Sequence, residues 1–159
     1  MKTLKESILK SVKAGKYSID PKDIDTYEKI LEYAEFLFGD KITVEKNKPE
    51  FAIKFNSDLY LVISKYSNFA VICTFKDKSG NILWDFGYTA AANNDWESMF
   101  RLEEWCTNKL NYYKGLVEIC RRKINKLKNK SSKRGNAINV EMCTYASKCD
   151  KFRNILSRI

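Results

Sequence analysis

The densest group of side chains able to do chemistry is a run of cations near the C-terminus. Eight lysines and arginines and no acid fall within residues 121–134: Arg121, Arg122, Lys123, Lys126, Lys128, Lys130, Lys133 and Arg134. Lysine and arginine bind the phosphates of DNA or RNA and release condensed counterions as they do so. Cations also stabilise the C-terminal end of a helix. The run therefore predicts either a surface for nucleic acid or an acidic protein patch, or an ordinary solvated helix end.

Charge is divided unevenly along the 159 residues. Residues 1–105 hold 15 Lys/Arg and 17 Asp/Glu (net −2), whereas residues 106–159 hold 14 Lys/Arg and 3 Asp/Glu (net +11). A surface of one sign attracts and holds a macromolecule of the opposite sign. The division therefore bears on the partner of this protein rather than on its fold.

A second candidate surface has the opposite sign. Four acids recur at helical spacing in a segment whose apolar pattern predicts a helix: Asp25, Glu28, Glu32 and Glu35. Such a face could imitate phosphate and occupy the basic groove of a nucleic-acid enzyme. The alternative is an ordinary solvated face, because acids also favour the N-terminal end of a helix.

The sequence contains no recognisable catalytic apparatus. Histidine is absent, which removes the commonest general base near neutral pH and every Ser-His or Cys-His pair. A metal-dependent nuclease needs paired carboxylates and a lysine on adjacent strands, and Asp58 with Lys65, or Glu45 with Lys46, supplies only fragments of such a site. We therefore predict a protein that is not an enzyme and has no catalytic residues, metal site or cofactor.

The five cysteines and the hydropathy pattern indicate the compartment. The cysteines form no CxxC pair and fall mainly on inward positions, so we expect reduced core residues rather than disulfides or a zinc site. No stretch approaches the roughly 20 apolar residues that span a bilayer. The N-terminus lacks the apolar core of a signal peptide. A cytoplasmic protein without a membrane partner is expected, and its oligomeric state stays open.

Helical patterns occupy both ends of the chain. In residues 1–39, Thr3 with Glu6 forms a capping box for a first helix, and Asp20 with Pro21 begins a second helix that Gly39 ends. Residues 95–159 carry two heptad stripes, which predict an antiparallel helical hairpin with coiled-coil-like packing. The stripes are Cys106, Leu110, Tyr113, Val117, Cys120, Ile124, Leu127 and, after a polar loop, Ile138, Met142, Tyr145, Cys149, Phe152, Leu156, Ile159.

The first arm of this hairpin could run unbroken from Trp96 to Asn129, with a bend at Gly115. Between the helical regions, residues 41–89 alternate apolar and polar side chains with a period of two and have short connections. This pattern predicts an antiparallel meander of four to five strands. The fold class is therefore α+β, in a single domain over residues 1–159.

The many aromatic residues could include a platform on which nucleic-acid bases stack. Because the strand aromatics alternate and the helical ones lie near the heptad seam, we assign most of them to the core. Tyr112, which lies off the seam, is the expected exception. The residues considered are Trp84, Phe86, Tyr88, Trp96, Phe100, Trp105, Tyr112 and Tyr113.

As a whole, the chain resembles a staphylococcal type II-A anti-CRISPR protein, an inhibitor of the RNA-guided DNA nuclease. The resemblance lies in the full length and run of the chain, from Met1-Lys2-Thr3-Leu4-Lys5-Glu6-Ser7-Ile8 through the long basic C-terminal helices. It does not lie in a motif, because anti-CRISPR proteins share none, and no family residue transfers to a position here.

The resemblance implies a protein without catalytic activity that binds the CRISPR effector nuclease at its HNH nuclease domain and blocks cleavage of the target strand. Two other functions stay open from the residues themselves. One is a nucleic-acid-binding accessory protein of a phage or mobile element that uses the basic hairpin. The other is a phage protein whose hairpin mediates self-association.

Overall fold

The computed structural model describes residues 23–93 and 95–159. Over these residues the fold is α+β, as predicted, with an antiparallel sheet and a long C-terminal pair of helices. The chain divides into two compact units, with the boundary between Phe100 and Arg101. The single domain over 1–159 stays a prediction. The predicted first helix and the predicted helix start at Asp20 and Pro21 lie outside the described residues.

The first described helix, α1 (Tyr27–Phe38), begins later than the sequence pattern predicted. Thr26 has an extended backbone, and its hydroxyl accepts a hydrogen bond from the Lys29 amide at 3.3 Å, so Thr26 is the N-cap. Ile24 was expected on the helix but precedes it, although its side chain is fully buried. Gly39 ends the helix as predicted, with a φ of 56° that favours glycine.

The meander is confirmed, and it has five strands within the described residues. Each strand pairs antiparallel with its neighbour in sequence, so the order in the sheet is the order in the chain. The strands are β1 (Ile42–Val44), β2 (Glu50–Asn56), β3 (Leu59–Ser67), β4 (Ala70–Lys76) and β5 (Ile82–Ala90).

One face of the sheet carries the core of the first unit. The register places Phe51 opposite Ile63 and Ile63 opposite Cys73, and all three side chains are fully buried. Helix α1 packs on this face, with the rings of Tyr27 and Phe51 5.9 Å apart. Alternation of apolar residues along each strand therefore produces continuous apolar rows across the strands.

Strand β5 departs from the simple alternation that the sequence suggested. Cys73 pairs with Gly87 and Thr74 with Asp85, which leaves Phe86 as the extra residue of a bulge. Gly87 has a φ of 82°, and its amide donates to the Asp85 carboxylate at 2.8 Å. Because the bulge shifts the pattern, Tyr88 is 69% exposed rather than buried.

Helix α2 (Asp95–Phe100) completes the core of the first unit. Trp96 is fully buried, and its ring lies 5.9 Å from Tyr33 and 5.3 Å from Phe100. The indole Nε1 donates a hydrogen bond of 2.6 Å to the carbonyl of Ala91, which is also buried. This bond satisfies a backbone acceptor that water does not reach.

The second unit is the helical hairpin of α3 (Leu102–Asn125) and α4 (Lys133–Ser157). A continuous first arm from Trp96 is wrong, because Arg101 adopts a non-helical conformation (φ −92°, ψ 64°) between α2 and α3. Helix α3 continues through Gly115, and a bend at this residue stays a prediction. The interruption therefore lies near the start of the arm.

The two arms pack antiparallel along the predicted seam. The Trp105 and Phe152 rings are 5.3 Å apart near one end, and buried Cys120 and Ile124 pack with Ile138 near the other. Tyr113 bridges the middle, with its ring stacked on Phe152 at 5.8 Å and on Tyr145 at 6.2 Å. The last heptad differs from the prediction, because Ile155 is fully buried, Leu156 is half-buried and Ile159 is exposed.

Replacement of Trp96 by phenylalanine should lower the free energy of unfolding by about 2–4 kcal/mol, because it removes buried volume and leaves the Ala91 carbonyl without its donor. Urea denaturation followed by circular dichroism measures the change. Tyr112→Phe, at a side chain 61% exposed, is the control and should stay within about 0.5 kcal/mol of the parent. Equal stability of W96F and the parent would contradict a contribution from both the buried volume and the indole hydrogen bond.

Candidate partner-binding surface

The turn end of the hairpin gathers all eight cations of the predicted basic run, and we call it the basic tip. Arg121, Arg122 and Lys123 lie on the last turns of α3, and Lys126 caps that helix. The connection and the first turn of α4 supply the remaining four: Lys128, Lys130, Lys133 and Arg134. Two helix ends and the turn between them thus form one positively charged surface.

The described residues leave most of the charge of the basic tip without an ion-pair partner. All eight side chains are exposed. Arg121 and Arg122 both approach Glu118, with nitrogen–oxygen distances of 2.8 and 3.7 Å. The other six cations form no salt bridge to any residue in 23–93 or 95–159. Exposed ion pairs are weak, so even the two arginines stay available to a partner.

The connection between the arms is fixed by local hydrogen bonds. Ser132 is the N-cap of α4, and its hydroxyl accepts from the Gly135 amide at 3.1 Å. The Asn129 side chain accepts from the Ser131 amide at 3.0 Å, and the Asn136 side chain donates to the Ser131 carbonyl at 3.3 Å. These bonds set the positions of Lys128 and Lys130 on either side of Asn129.

Glycine is required at position 135 because the backbone of the connection passes against it. A Cβ built on Gly135 would contact the Lys130 carbonyl oxygen and lie 2.9 Å from the carbonyl carbon. It would also lie 3.4 Å from the Leu127 side chain. Real Cβ atoms do not approach backbone so closely, so any larger residue must displace the turn.

An apolar cluster packs between the two helices at the basic tip. Buried Cys120, Ile124 and Ile138 form it, with half-buried Leu127 and Met142 packed against them. Burial raises the pKa of the Cys120 thiol, and the nearby Glu141 carboxylate raises it further while Lys123 lowers it. The thiol therefore stays protonated and acts as a small apolar group.

Helix electrostatics favour only part of the basic tip. Arg122 and Lys123 lie in the last turn of α3, where the helix dipole stabilises cations. Lys133 and Arg134 lie in the first turn of α4, where the dipole opposes them and no acid is present. An anion near this helix end would relieve the unfavourable interaction.

The acidic candidate surface is partly neutralised within the first unit. Asp25 precedes α1 instead of lying on its face, and it pairs with Lys29 at 2.9 Å. Glu28 pairs at 2.9 Å with Lys65 of β3. Hydrogen bonds from Lys29 and Lys65, respectively, lower the pKa of the Asp25 and Glu28 carboxyls. Glu32 and Glu35 are half-buried on the same helix.

The residues considered for nuclease chemistry do not converge. Asp58 lies in the turn before β3 and accepts from the Lys78 amide at 3.1 Å, whereas Lys65 lies towards the other end of β3 and pairs with Glu28. Across 23–93 and 95–159, the structure places no group of three or more Cys, Asp or Glu residues together where a metal ion could sit. Within the same ranges no helix combines the length and apolar character needed to cross a membrane.

Of the eight aromatic residues considered, three are buried, as expected, and three are half-buried: Trp96, Phe100 and Trp105, and Trp84, Phe86 and Tyr113, respectively. Tyr112 is 61% exposed, which confirms that it is an exception. Tyr88 is a second exception that the alternation concealed, and its ring stacks on exposed Tyr66 at 5.2 Å. A glycine within a strand pattern often marks a bulge, so Gly87 could have indicated the exposure of Tyr88.

Comparison of this chain with protein-family models, curated proteins and solved structures finds no match in any of the three.

Replacement of Gly135 by alanine should lower the free energy of unfolding by at least about 2 kcal/mol, because the added methyl group meets the Lys130 carbonyl. The matched control is Gly115→Ala on α3, where nothing lies within 4 Å of the added atom. This control should raise stability by about 0.5–1 kcal/mol, since alanine favours helix more than glycine does. Urea titrations of both variants measure the difference, and equal effects would contradict the close approach at Gly135.

Proposed function

We propose that this protein is a non-catalytic inhibitor of a type II-A CRISPR effector nuclease and that it binds through the basic tip, at the HNH nuclease domain. It acts in the bacterial cytoplasm. The observation that carries the proposal is the set of six exposed cations at one end of the hairpin without a salt bridge to any described residue. The whole-chain resemblance to anti-CRISPR proteins supplies the identity of the partner.

The cleavage step of the nuclease offers a target for such a surface. The HNH domain must dock onto the scissile phosphate of the target strand before it cuts. Nuclease centres hold divalent metal ions through carboxylates, so their surfaces combine acidic groups with a phosphate-binding cleft. A cluster of lysines and arginines pairs favourably with those carboxylates. Occupation of the centre would stop cleavage while the complex still binds its target DNA.

The basic tip is a better contact surface than the acidic face of α1. Two of the four acids, Asp25 and Glu28, have a lysine partner within their own unit, although these exposed pairs are weak. Six of the eight cations of the basic tip, in contrast, form no salt bridge to a described residue. Affinity then comes from a few central anchors, for which arginine is favoured, with lysines around them.

A nucleic-acid-binding accessory protein is the second candidate. The same six cations favour it, because phosphates would neutralise them and the α4 N-terminus at once. This function requires that the protein alone binds DNA or RNA and that its affinity falls steeply with salt. The inhibitor, in contrast, associates with the nuclease when no nucleic acid is present.

The test of the inhibitor is cleavage of a target duplex by a staphylococcal type II-A nuclease, titrated with this protein, alongside a gel shift of the same DNA. We expect lost cleavage with target binding intact. Triple reversal of Lys126, Lys128 and Lys130 to glutamate should raise the concentration for half-inhibition by at least about tenfold, as loss of central charge pairs does.

The matched control reverses Lys46, Lys48 and Lys54, which are exposed in the first unit. This control changes the net charge by the same amount and should leave inhibition within about twofold of the parent, since long-range attraction is screened at physiological salt. Similar losses in both variants would mean that overall charge, not the basic tip, acts. Undiminished cleavage, with a salt-sensitive shift of DNA by this protein alone, would replace the inhibitor by the nucleic-acid-binding function.

A further inference from the structure

A groove of about 290 Å³ lies along one side of the hairpin, between α3 and α4. Its floor is apolar and consists of Val117 from α3 and Ala146 and Cys149 from α4. Val117 and Ala146 are half-buried and Cys149 is buried, so the small side chains at 146 and 149 leave the space open. The seam packs tightly on either side of this point, at Tyr113 with Phe152 and at Ile124 with Ile138.

Three cations surround the groove: Lys114 and Arg121 from α3 and Arg153 from α4. Arg121 also belongs to the basic tip, so the groove continues that surface along the hairpin. Lys114 forms no salt bridge to a residue in the described ranges. A partner bound at the basic tip can therefore extend into the groove and contact cations at both places.

Two acids lie close to these cations. Glu118, which also lines the groove, holds Arg121 at 2.8 Å, and Asp150 holds Arg153 at 3.2 Å. Both are exposed pairs three residues apart on one helix, a geometry that stabilises a helix only slightly. Each guanidinium has five N–H donors, so it can keep its acid and still bind a second carboxylate.

We propose that this groove binds a protein segment in which one apolar side chain is flanked by carboxylates. The apolar floor accepts the side chain, and the three cations pair with the acids on either side. Arginine forms two parallel hydrogen bonds with a carboxylate, which fixes the segment along the hairpin. The proposal rests on the proposed function, because it specifies the chemistry of the segment that the nuclease offers.

A protein segment fits this groove better than a nucleic acid does. The floor side chains of Val117 and Ala146 carry no donor or acceptor for the edge of a base, and no aromatic ring lines the groove for a base to stack on. The groove has room for one leucine-sized side chain. Helical grooves of this kind take short apolar anchors from partner proteins.

The experiment fills the groove without changing charge. Ala146→Leu places a branched side chain over the floor, and Ala137→Leu makes the same change at an exposed position of α4 outside the groove. Circular dichroism establishes that both variants fold. The probe is a fluorescein-labelled peptide with one leucine between pairs of glutamates, followed by fluorescence polarisation, with a serine in place of the leucine as its control.

We expect the parent and A137L to bind the leucine peptide equally and A146L to bind at least about tenfold more weakly, because the buried anchor is lost. The serine peptide should show the same weakening with the parent protein. Lys114→Gln with Arg153→Gln should weaken peptide binding several-fold through the loss of charge pairs and leave the fold unchanged. Equal binding by A146L and the parent, or no binding of the peptide at all, would overturn the proposal.

Two further measurements separate this proposal from the proposed function. Association with the nuclease in the absence of nucleic acid should be weakened by A146L and unchanged by A137L. If the parent does not bind the nuclease, but the peptide binds the parent and A146L weakens that binding, the proposed function is wrong. In that case the groove still binds an apolar side chain flanked by carboxylates. If A146L instead abolishes binding of a single-stranded oligonucleotide and the peptide does not bind, the groove is a nucleic-acid site and the proposal is wrong.

Discussion

The apolar seam between α3 and α4 is the interaction on which the candidate surface depends. It holds together eight like charges that would otherwise repel one another, because Cys120, Ile124 and Ile138 bury their side chains directly beneath them. The hydrophobic contribution of these side chains does not depend on charge, whereas the repulsion between exposed cations is reduced by salt screening. The Gly135 contact with the Lys130 backbone then closes the turn tightly enough for both helix ends to contribute to one surface.

The first unit has a different electrostatic character, because two of its acids pair with lysines of the same unit. Glu28 on α1 pairs with Lys65 on β3, and Asp25 pairs with Lys29 across the start of the same helix. Its cohesion comes from the aromatic cluster of Tyr33, Trp96 and Phe100 over one sheet face. This contrast supports the proposal that the second unit, in which positive charge is exposed, binds the partner.

Regular periodicity made most of the fold predictable, and single residues that override it caused the errors. The heptad spacing identified the hairpin seam, and the period of two identified the meander, because burial on one face repeats with the geometry of each element. The spacing of apolar residues in the sequence gives almost no sign of the bulge at Phe86 or of the interruption at Arg101. The basic tip could be predicted since its cations are contiguous in sequence. The pairing of Glu28 with Lys65 and the groove at Ala146 could not, because both depend on residues that only the folded chain brings together.

The placement of Lys133 and Arg134 gives the strongest physical reason to regard the basic tip as a binding surface. A helix gains stability from acids in its first turn, yet α4 has two cations there and no acid. Each costs roughly a few tenths of a kcal/mol in helix stability, and exposure to water does not remove the effect. Residues that lower stability where a better choice is available are typical of functional surfaces. Together with the six cations at this end of the hairpin that form no salt bridge to a described residue, this placement supports the proposed binding of an anionic partner.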